Sequence, residues 1–189
     1  MRTRRLQRVL GRCPQLLGLP RKRLEAVERL LRERCLFTAA QLSAVLHACP
    51  AVLLREPPAL HHHFQYAYFR MGLRHEAMVK GRLFCAPFAE LRRRHGFLER
   101  LGLYRAPRKG QEHPQNPQLK DILHLPEDAF LASVARATPQ EYEVFKKLLA
   151  REEEEEEREQ EEEEEEEDDD DDVLFAEGDE DLGSEGSRS

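Results

Sequence analysis

Three segments of the chain align without gaps: Leu10-Gly-Arg-Cys13-Pro14-Gln-Leu16-Leu17, Leu46-His-Ala-Cys49-Pro50-Ala-Val52-Leu53, and Leu83-Phe-Cys-Ala86-Pro87-Phe-Ala-Glu90. Their prolines are 36 and 37 residues apart. Self-similarity at a period of this size is the signature of a repeat protein. A second landmark stands at a constant distance ahead of each later proline: Cys35-Leu36 before Pro50, Gly72-Leu73 before Pro87 and Gly102-Leu103 before Pro117, the last in a degenerate unit. Each follows a stretch ending in Arg or a long apolar side chain. Glycine there suits a helix end, because it adopts the left-handed conformation at little cost. One unit therefore reads as helix, Gly-Leu turn, second helix, then Pro-x-Leu-Leu. The proline lacks a donor and its ring clashes with the preceding turn, so it ends the second helix and starts a short third one.

Cap signals place the helices. Thr38-Ala-Ala-Gln41 and Thr138-Pro-Gln-Glu141 are capping boxes, the second with Pro139 at the first helical position. Pro57-Pro58, Asn116-Pro117 and Pro126-Glu-Asp open further helices. Arg105 to Gln115 is polar and turn-rich and reads as a long loop. Good helix formers dominate and tryptophan is absent, so strands are poorly supported. The expected fold is an all-α solenoid superhelix of helix–helix–short 3-10 helix repeats. Its expected organisation is repeats over 1–123 (the first truncated), capping helices over 124–151, and a disordered acidic tail over 152–189. The array opens in mid-unit, which is expected of a piece or short form of a longer solenoid.

Charge divides the chain. Residues 1–150 hold 27 Lys and Arg against 13 Asp and Glu, a net +14; residues 151–189 hold 3 against 24, a net −21, and together these make the overall −7. From Glu152 to Asp172, every residue except Arg158 and Gln160 is acidic. Mutual repulsion and lack of apolar surface leave such a run unfolded, apart from a turn or so prolonging the helix before it. It reads as a solubilising tail, or as a nucleic-acid mimic that competes for a basic surface. Val173-Leu174-Phe175 is a small apolar island within reach of a docking role.

A basic array tracking a nucleic-acid backbone needs cations repeated along one face. The candidates are Arg21, Lys22, Arg23, Arg55, Arg70, Arg74, Lys80, Arg82, Arg92, Arg93, Arg94, Arg105 and Lys109. The alternative is a merely solvated helical face. Met1 to Leu24 has eight basic residues and no acid, a composition shared with mitochondrial presequences, yet Leu10–Leu17 already carries the repeat signature. Two apolar stripes at helical spacing, Phe130, Leu131 and Val134, then Tyr142, Phe145 and Leu149, form either the terminal core or a surface for a partner at the uncovered end of the array.

Cys13, Cys35, Cys49 and Cys85 include no Cys-x-x-Cys and no metal spacing. They read as reduced thiols, with Cys13 and Cys49 packing where Ala86 stands in the third segment. His61-His62-His63 cannot all face one ion on a helix. No phosphate loop, His-Glu-x-x-His or nucleophile elbow is present, so no catalysis, cofactor or metal is expected. No apolar run is long enough to cross a bilayer as a helix, so no membrane span is expected.

These endings, the Gly-Leu between paired helices and the helix–helix–short helix unit resemble the mitochondrial transcription termination factor (mTERF) repeat family, over roughly residues 5–123. Arg92-Arg93-Arg94-His95-Gly96-Phe97-Leu98-Glu99-Arg100-Leu101-Gly102 and Leu125-Pro126-Glu127-Asp128-Ala129-Phe130, ahead of the acidic tail, resemble the C-terminal portion of the fourth vertebrate branch of that family. The resemblance implies a curved superhelix that binds nucleic acid in the mitochondrial matrix. For that branch it implies binding to large-subunit mitochondrial rRNA and recruitment of a Sun-family RNA cytosine-5 methyltransferase through the C-terminal region. A DNA-binding transcription regulator of the same family and a protein-only scaffold stand as alternatives.

Overall fold

The computed structural model describes residues 11, 13–107, 115–155 and 158. Two compact units, 1–142 and 143–189, are distinguished. Among the described residues the secondary structure is helical throughout, without strands.

The first unit is a stack of helix pairs. Helix α1 (Arg21–Arg29, continuing as Leu30–Arg34) is followed by α2 (Ala39–Ala48) and a 3-10 turn at Pro50–Leu54. Helix α3 (Pro57–Gln65, continuing as Tyr66–Arg70) is followed by α4 (His75–Lys80) and a turn at Leu83–Cys85. Helix α5 (Phe88–Arg100) is followed by α6 (Leu119–His124), and then α7 (Glu127–Phe130, continuing as Leu131–Ala135). An isolated turn, Pro14–Gly18, precedes the stack, and a helix over 139–155, α8, follows α7. First helices contact first helices, second helices contact second helices, and the proline turns stack on one another. The acidic run prolongs α8 by one turn past Arg151, where Arg151 bonds Glu155 at 3.0 Å. The other residues of that tail, including the Val173–Phe175 island, lie outside the described residues, apart from Arg158.

The first helices share one way of ending. Leu36, Gly72, Gly102 and Arg136 all have left-handed backbones, with φ of 59°, 70°, 71° and 52°. The residue after three of them reaches back six positions: Phe37 to the Leu31 carbonyl, Leu73 to Ala67 and Ala137 to Leu131, at 3.0, 3.0 and 3.1 Å. This closure satisfies carbonyls that a helix end otherwise leaves unpaired. The residues that supply those carbonyls are buried, so each turn is pinned to the core. Two glycines announced the motif in the sequence. Arg136 did not, because an arginine has no preference for that backbone region.

The alignment at Pro87 needs correction. Pro14 and Pro50 begin 3-10 turns, but Pro87 follows its turn and sits at the N-terminus of α5. Its counterpart is the Glu56-Pro57 start of α3. Helix α4 has six residues where α2 has ten, which moves the third turn forward. Arg82 turns left-handed just after α4, and Gly81 between them is buried so tightly that an added Cβ would lie 2.6 Å from the Leu119 side chain.

Three arginines tie successive repeats together, each to a carbonyl 31 residues ahead. Arg23 donates to Leu54 O at 3.1 Å, Arg55 to Ala86 O at 2.9 Å and Arg94 to Leu125 O at 2.7 Å. Each carbonyl lies just before the next first helix. Arg94 is the most enclosed: it also donates to Ile122 O at 2.8 Å, contacts Glu90, and stacks its guanidinium 4.8 Å from the Phe130 ring centre. Arg55 also donates to Nδ1 of the buried His63 at 3.0 Å. That ring is thereby neutral; burial, then the Arg55 charge, pushes its pKa down to about 3. His95 is buried as well, its Nδ1 shares a hydrogen bond with the Tyr66 hydroxyl at 2.9 Å, and it is pushed down to about 4 by burial. Its approach to Glu99 is accordingly a contact between a neutral ring and a carboxylate. His62 lies edge-on to Phe88, and the three histidines do not converge into a group that could hold a metal ion.

Three measurements check this account. Gly102→Ala should cost about 1 kcal/mol from backbone conformation alone, and Gly72→Ala distinctly more, since its Cβ would meet the Pro107 ring at 2.3 Å. Leu36→Gly should gain up to about 1 kcal/mol in the same denaturation series; a loss would remove the left-handed end as a source of strain. Arg94→Met should lower stability by about 3 kcal/mol in denaturant, because two carbonyls lose their donor and Glu90 loses one of its two arginines. Both histidines have depressed folded-state pKa values, so their stabilisation is complete above about pH 6.5 and declines as pH falls. The midpoint temperature should therefore drop between pH 7 and 5, above the carboxylate range, at up to about 1.4 kcal/mol per pH unit for each group. His95→Leu should flatten part of that slope, and a midpoint constant over this window would refute it.

Candidate nucleic-acid interface

The repeat geometry divides the cations between two edges of the stack. On the proline-turn edge, Arg23 and Arg55 face inward as the ties already described, and Arg94 is interior to α5. Arg93 is half-buried against Glu90. These residues hold the array and present little charge outward. Arg92 is half-buried with a partner of its own.

The opposite edge is made by the left-handed turns. They abut one another: His75 Nε2 donates to the Cys35 carbonyl at 2.7 Å, and the Tyr104 hydroxyl donates to the Met71 carbonyl at 2.9 Å. Arg34, Arg70 and Arg100 each stand two residues before a left-handed position, at Leu36, Gly72 and Gly102. All three are exposed, as are Arg32, Arg74, Arg105 and Arg136 on the same turns. Arg70 bonds Glu99 at 3.1 Å, and Arg32 lies 3.9 Å from Glu28. Such exposed pairs contribute little to stability and open readily to a competing anion. Apolar side chains are interleaved: Leu36 and Phe69 are 70% and 72% exposed. The carbonyl ends of α1, α3 and α5 also face this edge, and their partial negative charge is offset by the arginines.

Of the cations singled out from sequence, Arg70, Arg74 and Arg105 are brought together on this edge. Arg21 and Lys22 are exposed at the N-terminus of α1, Arg21 pairing with Glu25. Lys80 pairs with Glu76 at 2.9 Å, Arg82 is exposed beside the third turn, and Lys109 lies outside the described residues. Arg32, Arg34, Arg100 and Arg136 were not singled out. The signal for Arg34 and Arg100 was present, in the arginine that precedes each Gly-Leu or Cys-Leu landmark. The loop that follows Gly102 is clasped at its base: Asn116 accepts from Arg105 N at 2.9 Å and donates to Arg105 O at 2.7 Å. A cavity of about 450 Å³ opens beside this clasp, lined by Gly72, Lys80, Tyr104, Pro107, Asn116 and Lys120 among others.

The two terminal apolar stripes resolve differently. Phe130, Leu131 and Tyr142 are buried in the first unit, where Tyr142 packs on Phe97 and Phe130 at 4.8 and 6.1 Å between ring centres. Val134 is half-buried. In the second unit Phe145 is buried and Leu149 half-buried, while Val144 and Leu148 are 58% and 48% exposed. No group of three or more potential metal ligands occurs among the described residues, and no described helix is long and apolar enough to cross a membrane.

No protein-family model matches the chain. The mouse protein named transcription termination factor 4, mitochondrial, is 44% identical to it over 149 residues. The match takes in 78% of this chain and 43% of the mouse protein, so the chain spans less than half the length of that relative. Identity at this level, over residues that fold into stacked helix pairs with recurring left-handed ends and 3-10 turns, identifies the chain as belonging to the mTERF family.

Proposed function

We propose that this chain is a mitochondrial nucleic-acid-binding adaptor whose turn edge holds the phosphate backbone of structured RNA. The observation that carries this reading is the recurrence of Arg34, Arg70 and Arg100 at one position of successive repeats, with Arg74 and Arg105 alongside. A periodic row of arginines matches a ligand that is itself a periodic row of charges. The printed name of the mouse relative, a mitochondrial transcription termination factor, supports both the compartment and a nucleic-acid ligand.

At finer grain, the RNA is large-subunit mitochondrial rRNA, and the chain delivers a Sun-family RNA cytosine-5 methyltransferase to it in the matrix. The resemblance of residues 88–151 to the fourth branch of the family supports this. Chemistry then belongs to the partner, and the adaptor contributes position. Phe130, Leu131, Tyr142 and Phe145 are buried, so the partner meets the outer face of α8 instead, where Val144 and Leu148 are exposed one helical turn apart. The word "transcription" in the relative's name favours a second reading, regulation at mitochondrial DNA, with the same edge on a duplex.

Affinity for a large-subunit rRNA fragment should fall log-linearly with salt. The variant R34A/R70A/R100A should flatten the slope by about 2 and weaken binding, whereas R21A/K22A should change it little. A flat salt response, or an unaltered triple variant, would refute the turn edge. Preference for duplex DNA over RNA would select the second reading. V144D/L148D should abolish methyltransferase co-purification at unchanged helicity; retained co-purification would remove α8 as the docking face.

A further inference from the structure

Two thiols face each other where the second and third proline turns stack. Cys49 closes α2, and Cys85 closes the Leu83–Cys85 turn. Their hydrogen bonds are reciprocal. Cys49 Sγ donates to the carbonyl of Phe84, the residue before Cys85, at 3.1 Å. Cys85 Sγ donates to the carbonyl of Ala48, the residue before Cys49, at 3.6 Å. Each thiol thus reaches across to the backbone that carries the other. Cys85 is exposed and Cys49 half-buried, and both border a small cleft with Met78, Arg82 and Phe84. Cys13 and Cys35 are buried free thiols.

We propose that Cys49 and Cys85 form a redox-active dithiol that closes to a disulfide between consecutive repeats, with a low-molecular-weight disulfide such as glutathione disulfide as the oxidant. The Cys85 thiolate attacks one sulfur of the oxidant, whose S–S bond breaks. A mixed disulfide forms, and the first thiolate leaves and takes up a proton. The Cys49 thiolate then attacks the Cys85 sulfur and expels the second small thiolate, which takes up the proton that Cys49 gave. Two protein thiols are oxidised by two electrons, and one small disulfide is reduced to two thiols. Exposure makes Cys85 the attacking group, and Cys49, whose thiol reaches the backbone next to Cys85, the resolving one.

The closed bond bridges the junction that Arg55 spans by its bond to Ala86, so it reinforces the array covalently at a point otherwise held by hydrogen bonds. Burial, and next the neighbouring Cys49, push the Cys85 thiol up to about 11, while Arg82 and Arg55 act in the opposite direction. Closure is consequently slow at neutral pH and accelerates by roughly tenfold per pH unit towards pH 10, as expected when thiolate is the reacting species. Cys35, pushed up to about 12 by burial, stays reduced.

The test is incubation of the full chain in graded glutathione disulfide and glutathione, then alkylation, intact mass and peptide mapping. The expected product has lost two hydrogens, with Cys49 and Cys85 protected together and Cys13 and Cys35 still alkylated. Its midpoint temperature should rise by about 5 °C or more and return on reduction. Cys49→Ser should instead accumulate a stable glutathione adduct at Cys85. A persistent adduct at Cys85 in the unaltered chain, a Cys85-linked dimer, or full alkylation of both thiols at oxidising poise would each overturn the proposal.

Discussion

A guanidinium bonded to a backbone carbonyl of the next repeat is the contact on which the stack depends. A helical repeat cannot bury its apolar face alone, and nonspecific burial leaves the angle between neighbouring repeats loosely defined. Arg23, Arg55 and Arg94 set it by seizing the last free carbonyl before the next first helix. That carbonyl has no helical partner of its own, so the bond removes an unsatisfied group and fixes geometry together. The strength of the tie follows burial. Arg23 lies partly in solvent, while Arg94 is enclosed with Glu90, Phe130 and two carbonyls around it.

This use of arginine separates architecture from binding in a chain where the residue type is the same for both. On the proline-turn edge Arg23, Arg55 and Arg94 are drawn inward by carbonyls that the turns expose, while Arg21, Lys22 and Arg82 are exposed. Cations on the other edge meet left-handed helix ends whose carbonyls are already closed by backbone N–H groups six positions on. Arg34, Arg74 and Arg105 are exposed, and Arg70 bonds the half-buried carboxylate of Glu99. The two edges differ in backbone hydrogen-bond supply, and that difference decides which arginines tie one repeat to the next.

The stacked turns also explain why side chains of modest chemistry recur at the junctions. The second and third proline turns approach closely enough for Cys49 and Cys85 to reach each other's backbone. Their positions do not correspond in the repeat: Cys49 precedes its turn and Cys85 ends one. The shortening of α4 brings them opposite each other.

Much of the fold was legible in the residues themselves. Proline endings, Gly72 and Gly102, and the capping boxes at Thr38 and Thr138 state the helix ends in local chemistry, and both boxes form, Gln41 with Thr38 and Glu141 with Thr138. Helix content and the charge division between body and tail follow from composition. What tertiary structure alone decided is which end a proline marks, as at Pro87, and which way a side chain faces. Arg94 and Arg100 belong to one helix and share a residue type; the first is buried against Phe130 and bonded to the Ile122 carbonyl, and the second is exposed. The same holds for Tyr142, buried against Phe97, and for Val144, two positions on and exposed. Local sequence specifies backbone conformation through short-range sterics and capping, whereas burial and partner choice depend on residues a whole repeat away, brought close only when the repeats stack.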